Sequence, residues 1–298
     1  MAINPEQYSK IGIEEAETRA CTARVEEFKR VWEQLPSNIK QEVFAPDSAI
    51  GEFSALLVGA KPLVWVNSRY STKVGNTERV EPTNPFYEII KRSDLLRKEL
   101  RTAAGPFIFD GSYVMANDKL IYNPGAVRRV IDMNKDLFEQ LGYSTQDVDA
   151  LASQAFTPHD GEIDHVAAGL LLGFPRADAL IYAMKSPEQR GKLYSVLPRK
   201  EWLTLEGLAK KRFAEESTRS SKDWDQINNA YNDPAYQITR PEGWRGRYGI
   251  DVGDVQWVEF YETAAGEMRK EEIQKALHEY GLDEILAKMR REAEESSR

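Results

Sequence analysis

Helical periodicity is the strongest pattern in this chain of 298 residues. Over Ile13–Leu35, apolar side chains recur at steps of three and four residues, and Pro36 ends the run. That spacing puts them on one face of an α-helix, because an α-helix has about 3.6 residues per turn. Other helical runs open on a capping residue followed by proline, at Asn84-Pro85, Asn123-Pro124 and Ser186-Pro187. Such pairs are typical of helix N-termini, so we expect helices through most of the chain.

Further capping residues and glycines predict where other helices begin and end. Asp47 or Ser48 is expected to cap a second helix, because short polar side chains accept hydrogen bonds from the free N–H groups of a first turn. Ser144, followed by Asp147, resembles a capping box at the start of another. Gly281 is expected to interrupt the charged, amphipathic segment that ends the chain.

Strand signals are few and lie close together. Leu63–Val66 is a short apolar run after a proline and is typical of a buried strand. Over Phe107–Tyr122, three apolar runs are separated by Asp110-Gly111 and Asn117-Asp118. The Asp-Gly pair suits a two-residue hairpin turn, because both of its positions need positive φ. We therefore predict a three-stranded meander over 107–122, with Val255–Glu262 as a candidate further strand.

Together these patterns predict an α+β protein that is predominantly helical, with a small and mainly antiparallel sheet. Its strands come in a run rather than in alternation with helices, which argues against a doubly wound parallel sheet. No Ser/Gly-rich linker occurs, and the pattern changes near Asn123–Gly125. We expect a mixed α/β N-terminal part over 1–123 and a mostly helical C-terminal part over 124–298, and leave open whether they form one domain.

Composition excludes several classes of protein. The single cysteine, Cys21, allows neither an internal disulfide nor a zinc site rich in thiolates. The net charge of −8 disfavours duplex nucleic acid as a partner, because proteins that bind phosphates usually carry a basic excess. We expect no signal peptide and no membrane span, since no apolar run reaches the required length of about 20 residues. The expectation is a soluble, cytoplasmic protein.

The segment HDGEIDH places two of the three histidines among three carboxylates. If a helix begins near Glu162, then Glu162 and His165 face the same side, with the spacing that carboxylate-bridged metal proteins use. A histidine beside carboxylates also suits acid–base chemistry near neutral pH. The segment therefore predicts a divalent metal or acid–base site. The candidate ligands are His159, Asp160, Glu162, Asp164 and His165.

A structural interpretation accounts for most of the same residues. Asp160 is a natural N-cap, and Glu162 and Asp164 would complement the positive end of the helix dipole. Gly173 would then end the helix in a left-handed cap. Under this interpretation only the two histidines remain unexplained. The segment is therefore either the capped start of a helix or a metal or acid–base site.

A second candidate site is the loop GWRGRYG, where arginines alternate with aromatic residues. Guanidinium groups bind phosphate or carboxylate, and aromatic faces stack on bases or sugars. The predicted anionic-ligand residues are Arg240, Trp244, Arg245, Arg247 and Tyr248. The alternative is a surface loop whose arginines pair with Glu242, Asp251 or Asp254.

A third candidate is the basic region over residues 185–222. It holds ten lysines and arginines against five glutamates, a net charge of +5 that leaves −13 for the rest of the chain. A basic helical face on an acidic protein can bind RNA, an acidic partner or its own acidic C-terminus. The plainer alternative is a solvated helix surface.

No sequence motif points to a specific reaction. The chain has neither of the common phosphate-binding signatures, GxGxxG and GxxxxGK[ST], and no G-x-S-x-G nucleophile elbow. The first functional hypothesis is therefore a non-enzymatic binding or interaction protein, with a protein or an anionic ligand as partner. The second is a metal-dependent or acid–base enzyme whose site is built on HDGEIDH.

Overall fold

A computed structural model describes residues 5–44, 49–66, 85–104, 108–110, 113–115, 119–157, 163–211, 213 and 264–295. The side chains of some residues at the edges of these ranges are not included. Among the helices in these ranges, none is both long and apolar enough to cross a membrane. The predicted strand Val255–Glu262 lies outside the described residues.

The N-terminal half combines five helices with five short strands. The helices are α1 (Pro5–Glu33), α2 (Ser37–Val43), α3 (Ile50–Leu57), α4 (Pro85–Lys91) and α5 (Asp94–Glu99). The strands are β1 (Leu63–Val66), β2 (Arg101–Ala104), β3 (Ile108–Asp110), β4 (Tyr113–Met115) and β5 (Lys119–Tyr122).

The described residues after β5 are helical or lie in turns between helices. The helices are α6 (Pro124–Met133), α7 (Lys135–Gln140), α8 (Val148–Gln154), α9 (His165–Leu171), α10 (Arg176–Ala183), α11 (Pro187–Val196), α12 (residues 199–211), α13 (Ala264–Glu279) and α14 (Leu282–Glu295). The predicted fold class, a predominantly helical α+β protein with a small antiparallel sheet, is confirmed.

The strand pairing differs from the predicted meander. β5 is the central strand of a three-stranded antiparallel sheet in the order β1-β5-β2, while β3 and β4 form a separate hairpin. Within that hairpin Asp110 pairs with Tyr113, so residues 111 and 112 connect the strands rather than Asp110-Gly111. The three strands predicted within 107–122 are present, but a central position for β5 requires partners that come earlier in the chain.

Strand β2 was missed because its sequence, RTAA, lacks the β-branched alternation that marks a strand. The sequence predicted one helix from Asn84-Pro85 through Leu100. Instead α4 ends at Lys91, and Ser93 caps a new helix by accepting a hydrogen bond from Leu96 N at 3.0 Å. β2 follows directly and pairs with β5, with Arg101 opposite Tyr122.

Several capping predictions are confirmed and two are wrong. Asn123 and Ser186 cap α6 and α11 through their side chains, each with proline as the first helical residue. Asp147, rather than Ser144, caps α8, since its carboxylate accepts from two backbone N–H groups. Helix α3 begins after Ala49 without a side-chain cap, so neither Asp47 nor Ser48 has the predicted role. Positive φ angles end helices as expected, at Gly142, Gly173 and Gly281.

The three-stranded sheet lies between two hydrophobic clusters. Val64 and Ile121 face the first cluster, which α1 to α5 form together with α13 and α14. Leu63, Leu120 and Tyr122 face the second, which α6 to α12 form. Alternate residues of a strand point to opposite faces, so each cluster takes one side of the sheet. The C-terminal helix pair therefore packs with the N-terminal half, and the predicted division at Asn123–Gly125 stays a prediction.

Helix α14 holds the acidic C-terminal segment away from the basic region. Glu292 accepts a hydrogen bond from Trp32 Nε1 at 2.8 Å, and that bond lowers the pKa of its carboxyl. Glu294 lies 3.5 Å from Arg290 on the same helix. Within the described residues, the partners of Glu292 and Glu294 are on α1 and α14 and not on the basic helices, and pairing with those helices was one of the alternatives raised by the sequence.

Four side chains hold the loop after α3. Arg24 and Arg129 donate to the carbonyls of Leu57 and Gly59, and the Cys21 thiol donates to Val58 O. These donors satisfy carbonyl groups that have no partner within the helix. On the other side of the loop, the buried Lys61 ammonium lies 3.0 Å from a Glu52 carboxylate oxygen.

The last turn of α13 carries His278, whose titration tests how α13 and α14 are joined. His278 Nδ1 lies 2.9 Å from Asp283 Oδ2, and this hydrogen bond raises the pKa of His278 above 6.5. A raised folded-state pKa gives stability that is present at low pH and is lost as pH rises through it. We expect an NMR titration to place His278 above 6.5 and Asp283→Asn to move it back toward that value. Titration of wild-type His278 at or below 6.5 would contradict the contact.

Candidate functional site

Asp164 is the N-cap of α9. Its Oδ1 accepts hydrogen bonds from the backbone N–H groups of Val166 and Ala167, both at 3.0 Å. Its Oδ2 lies 3.7 Å from the Lys192 ammonium on α11. The Tyr143 hydroxyl also bonds to this carboxyl group, and burial raises the pKa of that phenol. Asp164 is thus committed to hydrogen-bond donors on several sides, which leaves little room for a cation.

The predicted start of this helix is wrong. α9 begins at His165 and not near Glu162, so the N-cap is Asp164 and not Asp160. A helix beginning earlier would take Gly161 into its first turns, where glycine costs up to about 1 kcal/mol relative to alanine. The spacing argument for Glu162 and His165 assumed a helix from near Glu162, whereas α9 begins at His165.

Gln189 on α11 fixes the start of α9 from the side. Its Nε2 donates to Ile163 O at 2.8 Å, and its Oε1 accepts from His165 N at 3.0 Å. The His165 ring meets the Tyr182 ring edge-on, with centroids 5.1 Å apart. The structure therefore places the His165 ring against Tyr182 of α10 and its backbone N–H on Gln189 of α11.

Most residues of the two sequence-predicted sites lie outside the described part of the chain. This holds for His159, Asp160 and Glu162 of the metal prediction. It holds for the whole anionic-ligand set as well, which is Arg240, Trp244, Arg245, Arg247 and Tyr248. Among the residues that the structure does describe, no three His, Cys, Asp or Glu side chains come together as a metal site. Both sites stay predictions.

The described part of the basic region forms an open groove between α10, α11 and α12. The groove has a volume of about 440 Å³. Two cations, Lys185 and Arg190, lie in its wall with the aromatic rings of Tyr194 and Trp202. Gly191 leaves the α11 side of the wall low, because it has no side chain. We call this space the basic groove.

Aromatic rings hold the cations of the basic groove in place. Lys185 Nζ lies 5.1 Å from the centre of the Tyr182 ring, and the Arg199 guanidinium lies 5.6 Å from that of Tyr194. Tyr194 in turn meets Trp202 edge-on at 5.2 Å. Cation–π contacts of this kind are worth about 0.5–1 kcal/mol at exposed sites. These contacts order the long side chains of Lys185 and Arg199.

Carboxylates neutralise only part of the positive charge. Over residues 185–211 there are seven lysines and arginines but three glutamates. Glu206 serves two of the cations, with Arg190 at 2.7 Å and Lys210 at 3.4 Å. The hydrogen bond from Arg190 is the main reason why the pKa of Glu206 is lowered.

Three cations beside the basic groove have no carboxylate within the described residues. They are Arg199, Lys200 and Lys211, all exposed on α12. Glu201, which lies among them in sequence, is 3.5 Å from Arg176 on α10 and so faces another partner. Glu206 therefore neutralises Arg190 of the groove wall and Glu201 faces α10, while Arg199, Lys200 and Lys211 on α12 keep their positive charge.

Sequence reasoning found the basic region but missed the groove. Lys185, Arg190 and Arg199 belong to the basic set, yet neither Tyr194 nor Trp202 was singled out. The available signal was the spacing of Arg190 and Tyr194, four residues apart and hence on one helical face. The spacing within α11 does not show that Trp202 of α12 packs beside Arg190 and Tyr194 in the folded protein.

Comparison with known proteins gives no further guide to function. No protein-family model, no curated protein and no solved structure matches this chain.

Proposed function

We propose that this protein is a non-enzymatic binding protein that holds an acidic partner at the basic groove. The observation that carries the proposal is a set of three exposed cations on α12 that have no carboxylate partner among the described residues, on the helix that supplies Trp202 to the groove wall. Carboxylate or phosphate groups of a partner would complete the charge balance that the fold leaves open.

The lining of the basic groove supports binding rather than chemistry. Within the described residues, the wall contains lysine, arginine, tyrosine, tryptophan, methionine, proline and glycine. None of these is a histidine, carboxylate, serine, threonine or cysteine, so the lysine and the tyrosine have no such partner in the wall to act with as an acid–base or nucleophile pair. A cytoplasmic location, expected from the sequence, is part of the same proposal.

Binding of a simple polyanion tests the proposal. We expect labelled poly-L-glutamate to bind at about 50 mM salt and to lose affinity steeply as salt rises, because mobile ions screen exposed charges. The triple substitution Arg199→Ala/Lys200→Ala/Lys211→Ala should weaken binding at least about tenfold, which is 1.4 kcal/mol. Fluorescence anisotropy provides the measurement.

The control removes the same charge from another surface. Lys29, Lys275 and Lys288 are exposed and lie in pairs with glutamates on their own helices. Changing all three to alanine should leave the affinity within about twofold of wild type, since exposed pairs of this kind contribute little. Equal losses in both triple variants, or no binding to the wild type at low salt, would refute the proposal.

A further inference from the structure

Two glycines lie inside helices next to the basic groove without serving the fold. A Cβ added to Gly191 on α11 or Gly207 on α12 would meet no atom within 4 Å in the described part of the chain. Gly169 on α9 differs, because its Cβ would lie 3.0 Å from that of Ala179. Glycine in a helix costs about 0.5–1 kcal/mol relative to alanine. Packing explains Gly169, but nothing within the described fold offsets the cost of the other two.

Gly207 lies in the middle of the exposed face of α12. Leu203 and Leu208 flank it and are 51% and 48% exposed, which is high for leucine on a packed helix. Lys200 and Lys211 lie on the same side, since Trp202, Leu205 and Ala209 face the core. The face therefore has a low centre at Gly207, a leucine on either side of it, and a lysine toward either end of the helix.

We infer that the acidic partner presents an amphipathic α-helix that packs across Gly207. This inference rests on the proposed function and names the form of its partner. Carboxylates of the partner would meet Lys200 and Lys211, and its apolar stripe would cover the two leucines. A glycine at the crossing point lets two helix backbones approach closely, as small residues do at helix–helix contacts.

The charge of this face and the exposure of its aromatic rings argue against a second copy of the chain and against single-stranded nucleic acid as the partner. A two-fold dimer through this face would place one basic surface on another, and like charges facing each other are unfavourable. Single-stranded nucleic acid needs exposed aromatic faces for stacking. Trp202 is only 4% exposed, and Tyr194, although 57% exposed, already has its ring against Arg199 and Trp202. Exposed leucines also offer nothing to a phosphate backbone.

Two synthetic peptides of equal composition test the inference. The first, of about 20 residues, places leucine on one helical face and glutamate on the other, a length at which helices form in water. The second has the same residues in scrambled order. We expect the amphipathic peptide to bind wild-type protein at least about tenfold more tightly than the scrambled one. Equal binding of the two peptides, or tighter binding of poly(U) RNA than of the amphipathic peptide, would overturn the inference.

The substitution Gly207→Ala separates a binding role from a structural one. The added methyl group would meet no atom within 4 Å in the described part of the chain, and alanine has a higher helix propensity than glycine. The melting temperature should therefore stay the same or rise. Affinity for the amphipathic peptide should fall at least about fivefold, while binding of poly-L-glutamate, which depends on charge, should not change. Unchanged peptide affinity in this variant would contradict close packing at Gly207.

The outcomes also separate this inference from the proposed function. Binding of poly-L-glutamate, together with equal binding of the two peptides, would end the inference and leave the proposed function standing. Failure of all acidic probes to bind would end both. Leu203→Ala gives a second check. It should weaken binding of the amphipathic peptide and leave the affinity for poly-L-glutamate within about twofold of wild type.

Discussion

We expect Glu52→Gln to lower the free energy of unfolding by about 3 kcal/mol at pH 7, because it leaves a buried ammonium without its counter-charge. Lys61 is 1% exposed, and its Nζ lies 3.0 Å from Glu52 Oε2. Burial lowers the pKa of Lys61, and the Glu52 carboxylate acts against that effect. Urea denaturation monitored by tryptophan fluorescence gives the free energy directly.

Replacing Lys61, the buried charge, provides the matched control for Glu52→Gln. Lys61→Met should leave stability within about 1 kcal/mol of wild type, because an apolar side chain of similar length does not need the carboxylate. The double variant Glu52→Gln/Lys61→Met should recover most of the loss seen in Glu52→Gln. Additive losses in the double variant would show that the two side chains do not interact.

The loss in Glu52→Gln should shrink as pH rises toward 10.5, the ordinary pKa of lysine. With its pKa lowered in the folded state, Lys61 binds fewer protons there than in the unfolded chain. Stability therefore increases with pH between the folded and unfolded pKa values of this group. A loss that stays constant from pH 7 to pH 9.5 would contradict a buried, charged Lys61 as its cause.

The second large effect is expected at Arg24, whose guanidinium is 3% exposed. Its Nε donates to Leu57 O at 2.6 Å, and its Nη1 lies 3.3 Å from a Glu99 carboxylate oxygen. Arg24→Met leaves the last carbonyl of α3 buried without this donor and separates α1 from α5. We expect a loss of about 3 kcal/mol in the free energy of unfolding, since a buried hydrogen bond to Leu57 O and a half-buried ion pair with Glu99 are both broken.

Arg97 offers the comparison for Arg24. Arg97 pairs with Asp94 within one exposed turn of α5, where a salt bridge is worth at most about 1 kcal/mol. Arg97→Met should therefore change stability by less than about 1 kcal/mol in the same urea titration. If Arg24→Met were equally mild, the proposed anchoring of α3 by α1 would be wrong.

The fold could be predicted from the sequence wherever one local pattern decides the structure. The apolar spacing over Ile13–Leu35 is enough for α1, and the pairs Asn123-Pro124 and Ser186-Pro187 mark two helix starts correctly. Where several polar residues stand close together, as in HDGEIDH, the pattern does not tell which of them caps the helix. Asp164 has that role because its carboxylate reaches the N–H groups of Val166 and Ala167.

Features that depend on distant contacts could not be predicted. β2 is a strand because β5 pairs with it, not because RTAA favours one. Lys61 lies in a segment, GAKP, whose composition is typical of an exposed turn, yet its ammonium is buried against Glu52. The basic groove has the same origin: its charge is visible in the sequence, but its walls exist only once α10, α11 and α12 pack together.

The most direct test of the basic groove as a binding surface is an NMR titration of the tryptophan indole signals with poly-L-glutamate. Trp202 lies in the groove wall, and Trp32 bonds to Glu292 in the opposite cluster. Substitution of each tryptophan by phenylalanine assigns its signal. We expect the Trp202 signal to shift at about 50 mM salt and to return toward its free position as salt rises, while the Trp32 signal stays still. A Trp202 signal that does not respond, or shifts centred on Trp32, would contradict a binding surface at the basic groove.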